Sequence, residues 1–136
     1  MKDSLAAGLS HSARITVDKD RTIGFMGDDL RVYATPSMVR DVESTCRDLI
    51  LEHVDEGEDS VGTRVVIDHM APTMLDMWVD VTINVGKVDG RLVTFEFTVR
   101  DSVEEVGKGT HMRFVVDKEQ TAQRLAAKAA KAKEAS

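Results

Sequence analysis

"YATPSMVRDVESTC", residues 33–46, carries the strongest helical signal in the chain. Thr35 suits an N-cap, and Pro36 suits the first helical position, where its missing N–H costs nothing. At about 100° per residue, Met38, Val39, Val42, Cys46, Leu49 and Ile50 fall on one stripe. Arg40, Asp41, Ser44, Arg47 and Asp48 lie outside it, so the pattern predicts a helix with one buried face. Glu43 stands roughly 20° beyond the edge marked by Ile50, an awkward place for a carboxylate.

Around this helix the period is different. Upstream, "SARITVD" (12–18) reads as a short strand with Ala13, Ile15 and Val17 on one face. The stretch "KDRTIGFMGDDLRVYA" (19–34) has no clear period, and loops of that length are often lids or binding segments. Downstream, the acidic run "DEGEDS" (55–60) reads as a solvated loop. After it the alternation is strand-like. In "VGTRVVIDHMA" (61–71) it places Val61, Thr63, Val65, Ile67, His69 and Ala71 on one face. In "MWVDVTINVGK" (77–87) it groups Met77, Val79, Val81, Ile83 and Val85. "DG" at 89–90 is a hairpin signal. The strand after it, Leu92 to Arg100, turns Val93, Phe95, Phe97 and Val99 inward, and a last long strand is "VGKGTHMRFVVD". One buried helix followed by clustered strands predicts an α+β fold, an antiparallel sheet curled around the helix. Residues 1–118 would form its single domain. Residues 119–136 are an Ala/Lys-rich tail of helical composition, with Leu125 its one large apolar residue, and would be helical or frayed.

Composition narrows the function. The chain has 136 residues, 42% of them apolar and 31% charged, as in an ordinary globular domain. A net charge of −6 disfavours non-specific contact with nucleic acid or anionic lipid. Cys46 is the lone cysteine, so no intrachain disulfide forms. No apolar run approaches the ~18 residues needed to span a membrane. No secretory leader is evident, and the cytoplasm is the expected compartment. The four histidines show no metal-ligand spacing, so no metal site is expected.

Three polar residues sit on or beside the faces assigned to the core: Thr35, Glu43 and His69. Each has a plain structural reading. Thr35 caps the helix, Glu43 pairs with Arg47 one turn on, and His69 is a satisfied core histidine. Together, on facing surfaces of one helix and one strand, they could also make a nucleophile, base and orienter group, although spacing alone does not bring them together. Cys46 with His69 is a weaker alternative, because Cys46 lies mid-stripe. "GKGT" (107–110) lacks P-loop spacing, and its glycines suit close backbone approach or a bulge.

From about Thr35 to Val116 the chain resembles the hotdog-fold thioesterases, and within them the fluoroacetyl-CoA thioesterase family. The resemblance is carried by "AT", "MV", Glu43 and Cys46 on the helix, by "SVGT" and "VIDH", by "VDGRLVTFEFTVRD", and by "EEVGKGTHMRFVV". Offsets of 8 from Thr35 to Glu43, 26 from Glu43 to His69 and 44 from His69 to Arg113 match the family's pattern. The resemblance implies hydrolysis of a short-chain acyl-CoA, with Thr35, Glu43 and His69 catalytic and Gly62 and Arg113 in contact with substrate. It also implies a homodimer with each active site shared across the interface, and no cofactor beyond the CoA thioester itself. Members specific for the fluorinated substrate close the acyl pocket with phenylalanines in the loop before the helix. Here Met26 and Asp29 stand at those places. CoA is anionic and the chain is acidic, so local cations are expected from Arg113, Lys108, Lys87 and Arg91. A non-catalytic acyl-CoA-binding module and an enoyl-CoA hydratase are the other functions this fold could carry.

Overall fold

The computed structural model describes all 136 residues. The helix predicted from residue 35 is α1, Thr35–Leu51. Its core face of Met38, Val42, Cys46, Leu49 and Ile50 is buried against the concave side of a sheet. The strands are β1 (Ser10–Thr16), two short strands β2 (Thr22–Ile23) and β3 (Val32–Tyr33), and then β4 (Glu58–His69), β5 (Trp78–Asp89), β6 (Leu92–Asp101) and β7 (Glu105–Asp117). Five of them form one antiparallel sheet in the order β1-β5-β6-β7-β4, while β2 and β3 pair separately. This is the α+β architecture expected, with the helix lying in the curl of the sheet.

The core is supplied by alternation. Val79, Val81, Ile83 and Val85 of β5 meet α1 alongside Val93, Phe95, Phe97 and Val99 of β6, all buried. The β5–β6 hairpin turns at Gly90, whose φ of +59° favours glycine. A C-terminal helix, α2 (Lys118–Ala135), is capped by the Asp117 carboxylate, which accepts from the Gln120 backbone N–H at 3.0 Å. No residue of α2 is buried.

Four local expectations are corrected. Thr35 is not the N-cap. Ala34 occupies that position without a side-chain bond, and Thr35 is the first helical residue. Asp41, expected outside the stripe, is only 5% exposed, because Arg21 and Tyr33 close over it. The acidic run is not all solvated loop. Glu58 and Ser60 open β4 and are buried, with Glu58 accepting from Arg91 Nη1 at 2.8 Å. Finally, β4 slips register between Gly62 and Arg64. That bulge turns Val61 and Thr63 outward while Val65, Ile67 and His69 keep the inner face.

Candidate active site

The polar residues singled out from the sequence fall into two groups. The first stands at the start of α1. Thr35 Oγ1 and His69 Nδ1 share a hydrogen bond of 2.7 Å. Thr35 is exposed and His69 half-buried, so the hydroxyl is free for the imidazole rather than tied up as a cap. Burial lowers the His69 pKa below its ordinary value, against a smaller upward push from the Ala71 backbone. The imidazole is therefore neutral at pH 7 and able to accept a proton. A cleft opens beside the pair between Ile23, Val32, Met70, Ala71 and Pro72. The first turn of α1 adds the positive end of the helix dipole.

The second group lies two turns along the same helix, about 12 Å away at 1.5 Å per residue. Glu43 does not pair with Arg47, which instead holds Asp59 through two bonds of 2.9 and 2.8 Å. Its carboxylate stands 3.6 Å from Arg113 Nη1, an ion pair too long for a hydrogen bond, and its side chain is 41% exposed. The carboxylate is thus near a cation yet free to act on a ligand. Gly62 permits the approach. A Cβ there would lie 3.2 Å from Glu43 Oε2 and 3.2 Å from His111 Cε1, tighter than ordinary contact.

Arg113 is itself held rigidly. Its Nε donates to Ser60 Oγ and its Nη2 to the Ser60 carbonyl, each at 2.8 Å. Its Nη1 faces His111 Nε2 at 3.2 Å. His111 Nδ1 is 2.8 Å from the Arg64 carbonyl, which can only accept, so Nδ1 carries the proton and Nε2 accepts from Arg113. His111 was missed in the sequence, although the signal was there: counting back by twos from Val115 puts Arg113 and His111 on one inner face.

His111 is fully buried, and burial lowers its pKa below 6.5, assisted by Arg113. The sign of the pH dependence follows. Just below pH 6.5 the unfolded chain takes up a proton that the folded chain does not, so stability is complete above that pH and is lost as pH falls toward the folded value. Thermal melts should therefore show Tm falling below about pH 6.5, above the range where carboxylates titrate. His111→Gln should flatten that slope in part, leaving the contribution of His69.

The remaining candidates separate cleanly. Cys46 is buried, and burial pushes its thiol up to about 12, so it is not a thiolate partner for His69. Arg91 is engaged with Glu58, and Lys87 and Lys108 are exposed on β5 and β7. Arg40 and Arg47 line the Glu43 cleft with Arg113, two cations the sequence reading did not assign. No group of three or more His, Cys, Asp or Glu is arranged to hold a metal ion.

A sheet of this order curled around one helix is the hotdog fold, and solved thioesterases of that fold superpose closely. The fluoroacetyl-CoA thioesterase FlK aligns with a TM-score of 0.84 at 27% identity, over 93% of this chain and 98% of that one. A thioesterase superfamily member from Thermus thermophilus aligns at 0.83 and 26% identity, over 96% of each chain. The fluoroacetyl-CoA thioesterase of Streptantibioticus cattleyicolor is 29% identical over 123 residues, 85% of this chain and 88% of that protein. Residues 17–119 match the fluoroacetyl-CoA-specific thioesterase (FlK) family, and the chain belongs to that family. It is a thioester hydrolase. No helix is long and apolar enough to cross a membrane.

Proposed function

We propose that the protein hydrolyses short-chain acyl-CoA thioesters in a homodimer whose two active sites each draw on both protomers. The observation that carries this reading is the hydrogen bond between Thr35 and His69, set about 12 Å along one helix from the free carboxylate of Glu43. Within one protomer Glu43 makes no hydrogen bond or ion pair with Thr35 or His69; its charged neighbour is Arg113. Val39 lies midway between Thr35 and Glu43, four residues from each. A two-fold axis near Val39 would bring Thr35 and His69 of one protomer opposite the partner's Glu43, and the converse, as an isologous interface requires. Support for such a dimer comes from β4, an edge strand 12 residues long that pairs with β7 on one side only and exposes Val61 and Val66.

In this site Glu43 acts on the thioester carbonyl by one of two routes. It activates water, whose attack breaks the C–S bond, or it attacks the carbon itself. The second route expels CoA thiolate and leaves a mixed anhydride that water then hydrolyses to the acid and free Glu43. Thr35 positions the carbonyl or supplies the hydroxyl, and His69 carries the proton. The helix dipole at Thr35 favours the developing oxyanion. Gly62 and Arg113 contact substrate, and Arg113 with Arg40 offsets the CoA phosphates. The reaction runs in the cytoplasm and needs no cofactor beyond the thioester. Rapid quench and mass spectrometry in the presence of substrate separates the two chemical routes, since only the anhydride adds an acyl mass to the peptide holding Glu43.

We further propose that the acyl range extends beyond fluoroacetyl. The segment before α1 leaves Phe25 81% and Met26 48% exposed, and Asp29 is exposed beside them, rather than presenting a closed aromatic pocket.

Mixed dimers test the shared site. Glu43→Gln and His69→Ala homodimers should each be inactive. Heterodimers of the two contain one intact site and should recover about half the wild-type rate per dimer. Heterodimers no more active than their parents would place all three groups in one protomer and overturn the arrangement.

A further inference from the structure

Asp41 raises a question the reaction does not answer. A carboxylate on the buried side of α1, 5% exposed, is costly unless fully partnered, and apolar packing would often serve stability as well. Its partners come from the segment leading into the helix. Arg21 grips it through Nε to Oδ2 at 3.1 Å and Nη2 to Oδ1 at 3.2 Å, and the Tyr33 hydroxyl donates to Oδ2. Tyr33 is 1% exposed, so its phenol is locked between helix and sheet.

The other face of Tyr33 meets the active site. Its ring stands edge-on to the His69 imidazole, with centroids 6.3 Å apart and planes at 73°. Its backbone N–H donates to the Thr73 carbonyl at 2.8 Å, and the Ala34 N–H donates to the Arg21 carbonyl at 2.8 Å. Thr73 is tied in turn to buried Asp101 through a 2.9 Å bond. Two residues on from Tyr33 stands Thr35. A single aromatic side chain thus abuts the imidazole and fixes the chain entering the hydroxyl's position. The imidazole has the Thr35 hydroxyl and the Ala71 backbone as polar neighbours, and its cleft is otherwise lined by Ile23, Val32, Met70 and Pro72.

We propose that Tyr33 and Asp41 are positioning residues for the Thr35–His69 pair, the carboxylate holding the phenol so that its ring fixes the plane of the imidazole. The proposal rests on the function assigned above to that pair. Asp41 touches no reacting atom; it acts through Tyr33, and Tyr33 acts through His69. This accounts for a buried charge that the fold does not need for its core.

Tyr33→Phe is the first test, because it removes one hydroxyl and leaves Asp41 paired with Arg21. The expected result is a kcat lower by about tenfold with KM unchanged, as for a misoriented catalytic group. The second reading is NMR titration of the His69 ring, assigned by its loss in His69→Ala. Its midpoint should rise toward the ordinary 6.5 as the loosened ring gains water. Asp41→Ala should reproduce both changes. Adding Tyr33→Phe to His69→Ala should have no further effect on rate. An equal loss of rate in the presence and absence of His69, or an unmoved His69 midpoint in Tyr33→Phe, would overturn the proposal. A wild type that hydrolyses no thioester would count against the proposed function instead, and the His69 titration would still decide whether Tyr33 orients the ring.

Discussion

Glu43→Gln is expected to lower kcat by roughly a hundred- to ten-thousandfold, the range associated with loss of a general acid or base. The substitution preserves shape and removes only the charge. The Glu43 carboxylate makes no hydrogen bond that a structural role would need. It stands 3.6 Å from Arg113 and is open to a ligand. KM should change little, because the phosphates of CoA are met by arginines rather than by the acid. Removing the carboxylate also leaves Arg113 without its nearest counter-charge, at a position 5% exposed. Some loss of Tm is therefore expected, small because Ser60 and His111 still hold the guanidinium. Steady-state kinetics and a thermal melt on the same sample separate the two effects. Near-wild-type turnover in Glu43→Gln would remove the acid from the mechanism.

Gly109→Ala should be the most damaging change to the fold. A Cβ on Gly109 would lie 1.8 Å from the Val66 carbonyl oxygen and 3.0 Å from Phe97 Cζ. The first contact is with backbone in the β4–β7 ladder and cannot be relieved by a rotamer change. The strands would have to part, and a loss of about 4 kcal/mol or more is expected, seen as a lowered denaturation midpoint or as failure to recover folded protein. Gly107→Ala is the control. Its Cβ would meet Met38 Sδ at 2.5 Å, but a thioether is flexible, so the cost should be about 1–3 kcal/mol. Equal tolerance at both positions would contradict the register of β4 on β7.

The contrast explains what was legible in the sequence. The helix and the inner faces of β5 and β6 follow from periods of 3.6 and 2 over ten or more residues, and the glycines of "GKGT" mark close backbone approach at Gly109 as their strand context implied. Short or interrupted elements were not legible. β2 and β3 have two residues each, too few for any period. The alternation of β4 breaks at the bulge after Gly62, which sent Val61 and Thr63 to the wrong face.

Charged residues were the hardest to place, because their partners are distant in sequence. Arg47 is the natural i,i+4 partner of Glu43, yet it turns to Asp59 and leaves the acid to Arg113, 70 positions away. Asp41 looked solvated because nothing local reveals that Arg21 and Tyr33 cover it. The family pattern supplied roles for Thr35, Glu43 and His69 that spacing alone did not. The structure sets Thr35 against His69 of β4 at the start of α1 and Glu43 at the middle of that helix, beside Arg113.

The most direct measurement is release of CoA thiol by the wild-type protein from a panel of short-chain acyl-CoAs, fluoroacetyl-CoA included, with Glu43→Gln beside it. Wild type is expected to turn over several short acyl groups steadily, and Glu43→Gln almost none. Binding of the CoA esters without release of thiol, equally in both proteins, would contradict this and make the molecule an acyl-CoA-binding module on a thioesterase fold.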